Sequence, residues 1–217
     1  MDNKRALIDA TEYTCVKSTD TLQNAERICR ETLKYGFAAV VVNPVFLQRV
    51  VEMVKGKTEV CTTVAFPFGS TTVGAKMKEL EECIRLGADA VDMVINVSAM
   101  KSQMYDVVEE EIRAFAENGR DVITKIILET CYLDKKEIIL ACEMAAGHGI
   151  DYVKTTTGMG SRGASLEDVS IMKAAVNKKC KIKAAGGIKT VRAAFEFLDA
   201  GVTRLGLSSA VDLIKQL

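Results

Sequence analysis

Leu86-Gly87-Ala88-Asp89-Ala90-Val91-Asp92-Met93-Val94-Ile95-Asn96 is the stretch on which the reading of the fold turns. Before it, Met77, Leu80 and Ile84 recur three and four apart, which is one face of a helix. After it comes a short apolar run, the pattern of a parallel strand buried on both faces. A glycine between the two supplies the left-handed backbone that closes a helix and turns the chain into the next strand. The same junction recurs at Tyr35-Gly36-Phe37-Ala38-Ala39-Val40, His148-Gly149-Ile150-Asp151-Tyr152-Val153 and Ala200-Gly201-Val202-Thr203-Arg204-Leu205.

Working outward from these junctions, strands are predicted near Leu7–Ile8, Ala38–Val42, Val60–Phe66, Ala90–Ile95, Ile123–Leu128, Tyr152–Lys154, Ile182–Ala184 and Arg204–Leu207. Asp134 with Glu137 has the spacing of a capping box, and Ser165 and Thr190 read as further helix N-caps. Eight strands in 217 residues leave about 27 residues per βα unit, near the minimum for a barrel. The expected fold is therefore α/β: a single-domain (β/α)8 TIM barrel over residues 1–217. A doubly wound open sheet shows the same alternation. It usually has fewer strands, and no GxGxxG follows the first one here.

Composition narrows the function. There are 29 Lys plus Arg against 29 Asp plus Glu, so the balance offers no footprint for nucleic acid or an anionic membrane. The longest apolar run, Phe37 to Val42, is far short of the roughly 20 residues that span a bilayer. Only Ala6 to Ile8 are apolar near the start, too few for a signal-peptide core. The seven cysteines stand singly without CxxC spacing, which fits free thiols in a reducing cytoplasm rather than disulfides or zinc. His148, the one histidine, is expected at a solvated helix end, so no metal and no histidine-dependent triad is expected. Met53, Met77, Met93 and Met144 read as core.

In a barrel, chemistry collects at the C-terminal ends of strands. Asp92 stands inside an apolar run, and Lys125, Lys154 and Lys183 lie on three neighbouring strands. Period-two alternation groups Lys125, Ile127 and Glu129 on one face. A single lysine of this kind is a solvent-seeking side chain or an ion-pair partner. Three together beside one acid are too costly to be an accident of packing. A dry pocket and a second cation both disfavour protonated lysine, and a neutral amine attacks carbonyl carbon. A carboxylate alongside can move the protons. Thr155-Thr156-Thr157-Gly158-Met159-Gly160, Gly186-Gly187-Ile188-Lys189 and Gly206-Leu207-Ser208-Ser209 follow strands six, seven and eight. Taken singly these are ordinary turns, but their joint placement suits a phosphate.

Four blocks in order then resemble deoxyribose-phosphate aldolase: Val91–Asn96, Lys125–Thr130, Val153–Gly158 and Lys183–Ile188. Val42-Asn43-Pro44 and Ala65-Phe66-Pro67-Phe68-Gly69 support the likeness, which covers essentially the whole chain. The resemblance implies a cofactor-free class I aldolase acting on a phosphorylated sugar, with Lys154 forming the Schiff base. Asp92 and Lys183 would relay protons and lower the pKa of Lys154. Gly158, Gly186, Gly187, Lys189, Gly206, Ser208 and Ser209 would hold the phosphate, and Asp9 with Thr11 would approach the sugar. Two departures stand out: Ala10 replaces the histidine of Ile-Asp-His-Thr, and Ala185 replaces the serine or proline often found before the paired glycines. A homodimer or larger homo-oligomer is expected on general grounds. Two other readings stay open, a transaldolase-like or other Schiff-base aldolase, and a catalytically silent barrel that binds sugar phosphates.

Overall fold

The computed structural model describes residues 3–217. Its eight strands are β1 (Thr11–Cys15), β2 (Ala39–Val42), β3 (Glu59–Val64), β4 (Ala90–Val94), β5 (Ile123–Ile127), β6 (Tyr152–Lys154), β7 (Lys181–Ala185) and β8 (Arg204–Leu207). They form a closed barrel in chain order. Every neighbouring pair is parallel, and β8 closes onto β1 through Thr11–Leu205, Glu12–Gly206 and Tyr13–Leu207.

Around the barrel run α1 (Asn3–Ala10), α2 (Leu22–Tyr35), α3 (Leu47–Val54), α4 (Val73–Arg85), α5 (Val97–Lys101), α6 (Tyr105–Asn118), α7 (Lys135–Gly147), α8 (Leu166–Val176), α9 (Val191–Asp199) and α10 (Ala210–Ile214). The predicted caps form: Asp134 and Glu137 make a reciprocal box, and Ser165 and Thr190 accept from backbone N–H groups in the first turn of α8 and α9. All four junction glycines have positive φ. At Gly36, φ is 73° and the N–H reaches Thr32 O at 2.9 Å, which ends α2 without an orphaned carbonyl.

One expected strand is misplaced. Leu7–Ile8 lies in α1, and the first strand starts at Thr11. The helix wins because Leu7 and Ala10, three apart, are buried together, while Arg5 and Asp9, four apart, pair on its outer side at 2.7 Å.

The apolar core has two unequal parts. Outward-facing strand residues such as Val40, Val60, Val91, Met93, Ile126, Val153 and Leu205 pack with the helices in one continuous cluster. A much smaller buried cluster, Val16, Val41, Cys61 and Ala90, is separate from it. Much of what remains buried along the strands is charged: Glu12, Asp92, Lys125, Lys154 and Lys183. The predicted core methionines follow the larger cluster, with Met93 fully buried and Met53, Met77 and Met144 packed against it.

Candidate active site

Asp92 occupies the middle of β4, and its neighbours bring three lysines to it. Lys154 Nζ donates to Oδ2 at 2.6 Å, and Lys183 Nζ donates to the same oxygen at 2.7 Å. Lys125 Nζ lies 3.7 Å from Oδ1. The strand register produces this convergence, because Asp92 pairs with Lys125 and Lys154 with Lys183 across adjacent strands. All four side chains are buried.

A carboxylate that sequence reasoning missed completes the cluster. Glu12, on β1, accepts a short hydrogen bond from Lys183 and lies 3.3 Å from Lys125. The expected first strand, at Leu7–Ile8, falls about one helical turn before β1 and leaves Glu12 outside it. The signal was present in Thr11-Glu12-Tyr13-Thr14-Cys15, where an acid sits among β-branched and aromatic residues. Glu59 and Arg204 were missed as well: Glu59 is 3.2 Å from Lys125 and 3.2 Å from Arg204.

The lysines are not equivalent. Burial pulls the Lys154 ammonium down; Asp92 opposes this, and Lys183 adds repulsion, leaving its pKa below the usual lysine value. Burial acts the same way on Lys183, but Asp92 and Glu12 outweigh it and hold Lys183 protonated. Lys125 likewise sits well above the usual value, its burial overcome by the acidic groups around it. For Asp92, desolvation is overcome by Lys154, Lys183 and Lys125, so the carboxyl stays ionised.

Above this cluster opens a cavity of about 670 Å³. Of the three lysines only Lys154 lines it. Its lining also holds Gly158, Gly186, Gly187, Lys189, Gly206, Ser208 and Ser209, all the residues expected to hold a phosphate. Thr14 and Lys17 line it too, unforeseen from sequence. Gly186 has φ of 91°, and a Cβ there would come within 2.6 Å of Thr156 Oγ1, so the loop can only be glycine.

Asp9 and Thr11 do not join the cavity. Asp9 is exposed on α1 and paired with Arg5, while Thr11 opens β1 with its hydroxyl on Leu7 O at 2.6 Å. Both belong to the N-terminal end of β1 and lie outside the cavity lining, because Asp9 precedes the strand and Thr11 is its first residue. Glu129 leaves the predicted face as well: β5 ends at Ile127, and Glu129 turns into left-handed backbone (φ 54°) and accepts from Thr157 N. His148 caps α7 near Glu109, 3.2 Å away and remote from the lysines in the fold. Glu12, Cys61 and Asp92 bring three potential metal-ligand atoms together. Lysine ammoniums already occupy both carboxylates, and burial keeps the Cys61 thiol protonated, so the trio suits ammonium groups better than a metal cation.

Residues 2–209 match the pattern of the DeoC/LacD family aldolases. The deoxyribose-phosphate aldolase of Clostridioides difficile (strain 630) is 41% identical over 209 residues, covering 96% of this chain and 95% of its own length. A solved structure from Coccidioides immitis, proposed to be a deoxyribose-phosphate aldolase, superposes with a TM-score of 0.95 at 33% identity, covering 100% of this chain and 86% of that one. Another, an aldolase called QR15, gives 0.91 at 33% identity, covering 100% and 96%. With a lysine that lines a barrel cavity held against a buried aspartate, and with these likenesses along its length, the chain belongs to the DeoC/LacD family of aldolases.

Proposed function

We propose that the chain catalyses the reversible cleavage of 2-deoxy-D-ribose 5-phosphate to D-glyceraldehyde 3-phosphate and acetaldehyde, through a Schiff base on Lys154, in deoxynucleoside breakdown. The observation that carries this reading is the position of Lys154: it alone of the clustered lysines reaches the cavity, which the glycine loops also line.

Neutral Nζ adds to the C1 aldehyde of the open sugar, and the carbinolamine loses water to give an iminium. The proton shed by the amine has Asp92 Oδ2 2.6 Å away, with Lys183 on the same oxygen. The iminium draws in the electrons of the C2–C3 bond as the C3 hydroxyl gives up its proton, releasing glyceraldehyde 3-phosphate and leaving an enamine. Protonation of the enamine carbon and return of water then release acetaldehyde and the free amine. Gly158, Gly186, Gly187 and Gly206 let backbone approach the phosphate, and Lys189, Ser208 and Ser209 add polar contacts. No step calls on a cofactor.

No helix among the described residues is long and apolar enough to cross a membrane. Six buried free thiols and one partly exposed one suit the reducing cytoplasm. Assembly as a homodimer or larger homo-oligomer completes the reading. Its test is a coupled assay for glyceraldehyde 3-phosphate from deoxyribose 5-phosphate, run with a chelator. Product formation unaffected by the chelator is expected. No product overturns the substrate, and inhibition by the chelator overturns the metal-free route.

A further inference from the structure

We propose that Glu59, Lys125 and Arg204, none of which lines the cavity, act as a charge-balancing set that tunes how readily Lys154 gives up its proton. The inference rests on Lys154 being the Schiff-base lysine and adds positioning residues to it.

Glu12, Asp92 and Glu59 supply three carboxylates to the network, against four cations: Lys125, Lys183, Arg204 and Lys154. A buried cluster with surplus charge is costly, so one cation is driven to neutrality. The contacts single out which. Lys183 has both Glu12 and Asp92, while Lys125 has Glu12 at 3.3 Å, Glu59 at 3.2 Å and Asp92 at 3.7 Å. Arg204 has Glu59 at 3.2 Å, keeps partial contact with water and does not deprotonate at working pH. Lys154 has Asp92 alone, through an oxygen that it shares with Lys183.

Other groups facing the cluster leave the balance unchanged. On β3 the Cys61 thiol donates to Asp92 Oδ1 at 3.2 Å, and its burial holds it protonated. On β6 the Tyr152 ring lies 5.9 Å from Lys125 Nζ and 5.5 Å from that of Lys181, which is exposed at the start of β7 and screened by water. Lys125 therefore acts on Lys154 through the Asp92 carboxylate that both face, and Glu59 with Arg204 sets how much of the Lys125 charge is left to act.

The test is the pH dependence of borohydride trapping of acetaldehyde on Lys154, followed by peptide mass mapping. Lys125→Met and Arg204→Gln each remove a cation, so Lys154 should hold its proton more tightly. The midpoint of trapping should then rise by about one pH unit, roughly tenfold in rate on the acid side. Glu59→Gln removes an anion and should move the midpoint the other way. Lys125→Met with Glu59→Gln should return it near the wild-type position. A purely structural role would not give shifts of opposite sign that cancel. If Lys125→Met does not fold, the partly exposed pair Glu59→Gln and Arg204→Gln decides alone. Shifts of the same sign, or none, with the adduct still on Lys154, overturn the charge balance and leave the aldolase reading standing. A wild-type adduct on another lysine overturns both.

Discussion

Lys154 and Lys183 are register partners on adjacent strands, and both donate to one oxygen, Oδ2 of Asp92. Chemically they are the same group in the same carboxylate's field. Glu12 breaks the tie: it bonds Lys183 and not Lys154, so Lys183 keeps its proton and repels the one on its neighbour. Glu12 thus favours Lys154 as the proposed nucleophile while touching only the other two lysines, Lys183 and Lys125.

That choice predicts the outcome of trapping with acetaldehyde and borohydride. The adduct should form on Lys154, and Lys154→Leu should abolish it. Lys183→Leu removes the repulsion and raises the pKa of Lys154, so labelling should fall about tenfold or more at pH 7 and recover as the pH rises. Labelling of Lys183→Leu at the wild-type rate at pH 7 would show that the second lysine does not tune the first.

The proposed phosphate-binding loops predict a loss that depends on the substrate. Ser208→Asp places a negative charge at the cavity wall, and Gly187→Val forces a β-branched residue into φ of 77°. A Cβ at Gly187 would meet nothing nearer than Gly163 Cα at 3.7 Å, so the damage should be local. Both variants should lose far more kcat/KM with deoxyribose 5-phosphate than with unphosphorylated deoxyribose. Equal losses would move the phosphate elsewhere.

How much of this was legible from sequence follows from where each signal lies. Asp92 announces itself because a charged residue within an apolar run has no cheap explanation, and the glycine junctions announce β2, β4, β6 and β8. Glu12 does not, because β1 is only five residues long and follows a helix whose Leu7-Ile8 pair looks more strand-like than the strand does. Asp9 and Thr11 are expected in the site only through the likeness of Ile8-Asp9-Ala10-Thr11 to the family motif, and that stretch lies where α1 gives way to β1. Glu59 and Arg204 stand at strand starts, where a charge ordinarily meets water, and only closure of the barrel brings Glu59 to both Lys125 and Arg204.

A second buried ion pair should dominate stability at the β4 end. Lys76 on α4 donates to Glu111 on α6 at 2.6 Å and to Val94 O at 2.7 Å, and Glu111 accepts from Asn96 N at 2.6 Å. Lys76→Met leaves that carboxylate buried without a cation, which should cost about 3–5 kcal/mol in urea unfolding. Lys76→Met combined with Glu111→Gln should cost less than Lys76→Met alone. A loss below about 1 kcal/mol for Lys76→Met would show that the pair is not needed there.

Asp168 gives a stability term with a definite pH sign. Burial opposes its charge, but Arg162 at 2.5 Å, Thr130 at 2.9 Å and Ser165 hold its carboxyl below the usual value of 3.8. A lowered folded pKa stabilises above the unfolded value, and the contribution disappears as pH falls through the folded one. Asp168→Asn should therefore unfold at lower urea than wild type at pH 7. The gap should narrow as pH drops below about 4. A gap that is constant between pH 7 and pH 3 would assign the loss to packing instead.

The division between an apolar outer shell and an ionic interior bears on how such a chain drifts over generations. The large cluster between sheet and helices anchors the barrel, whereas the lysines and acids inside it occupy space that aliphatic residues would fill at no desolvation cost. Selection for folding alone would erase that interior, one lysine at a time, while leaving the outer shell intact. The survival of the ionic layer is therefore a record of use: a descendant freed from its reaction would keep this shape and lose Lys125, Lys154 and Lys183 first.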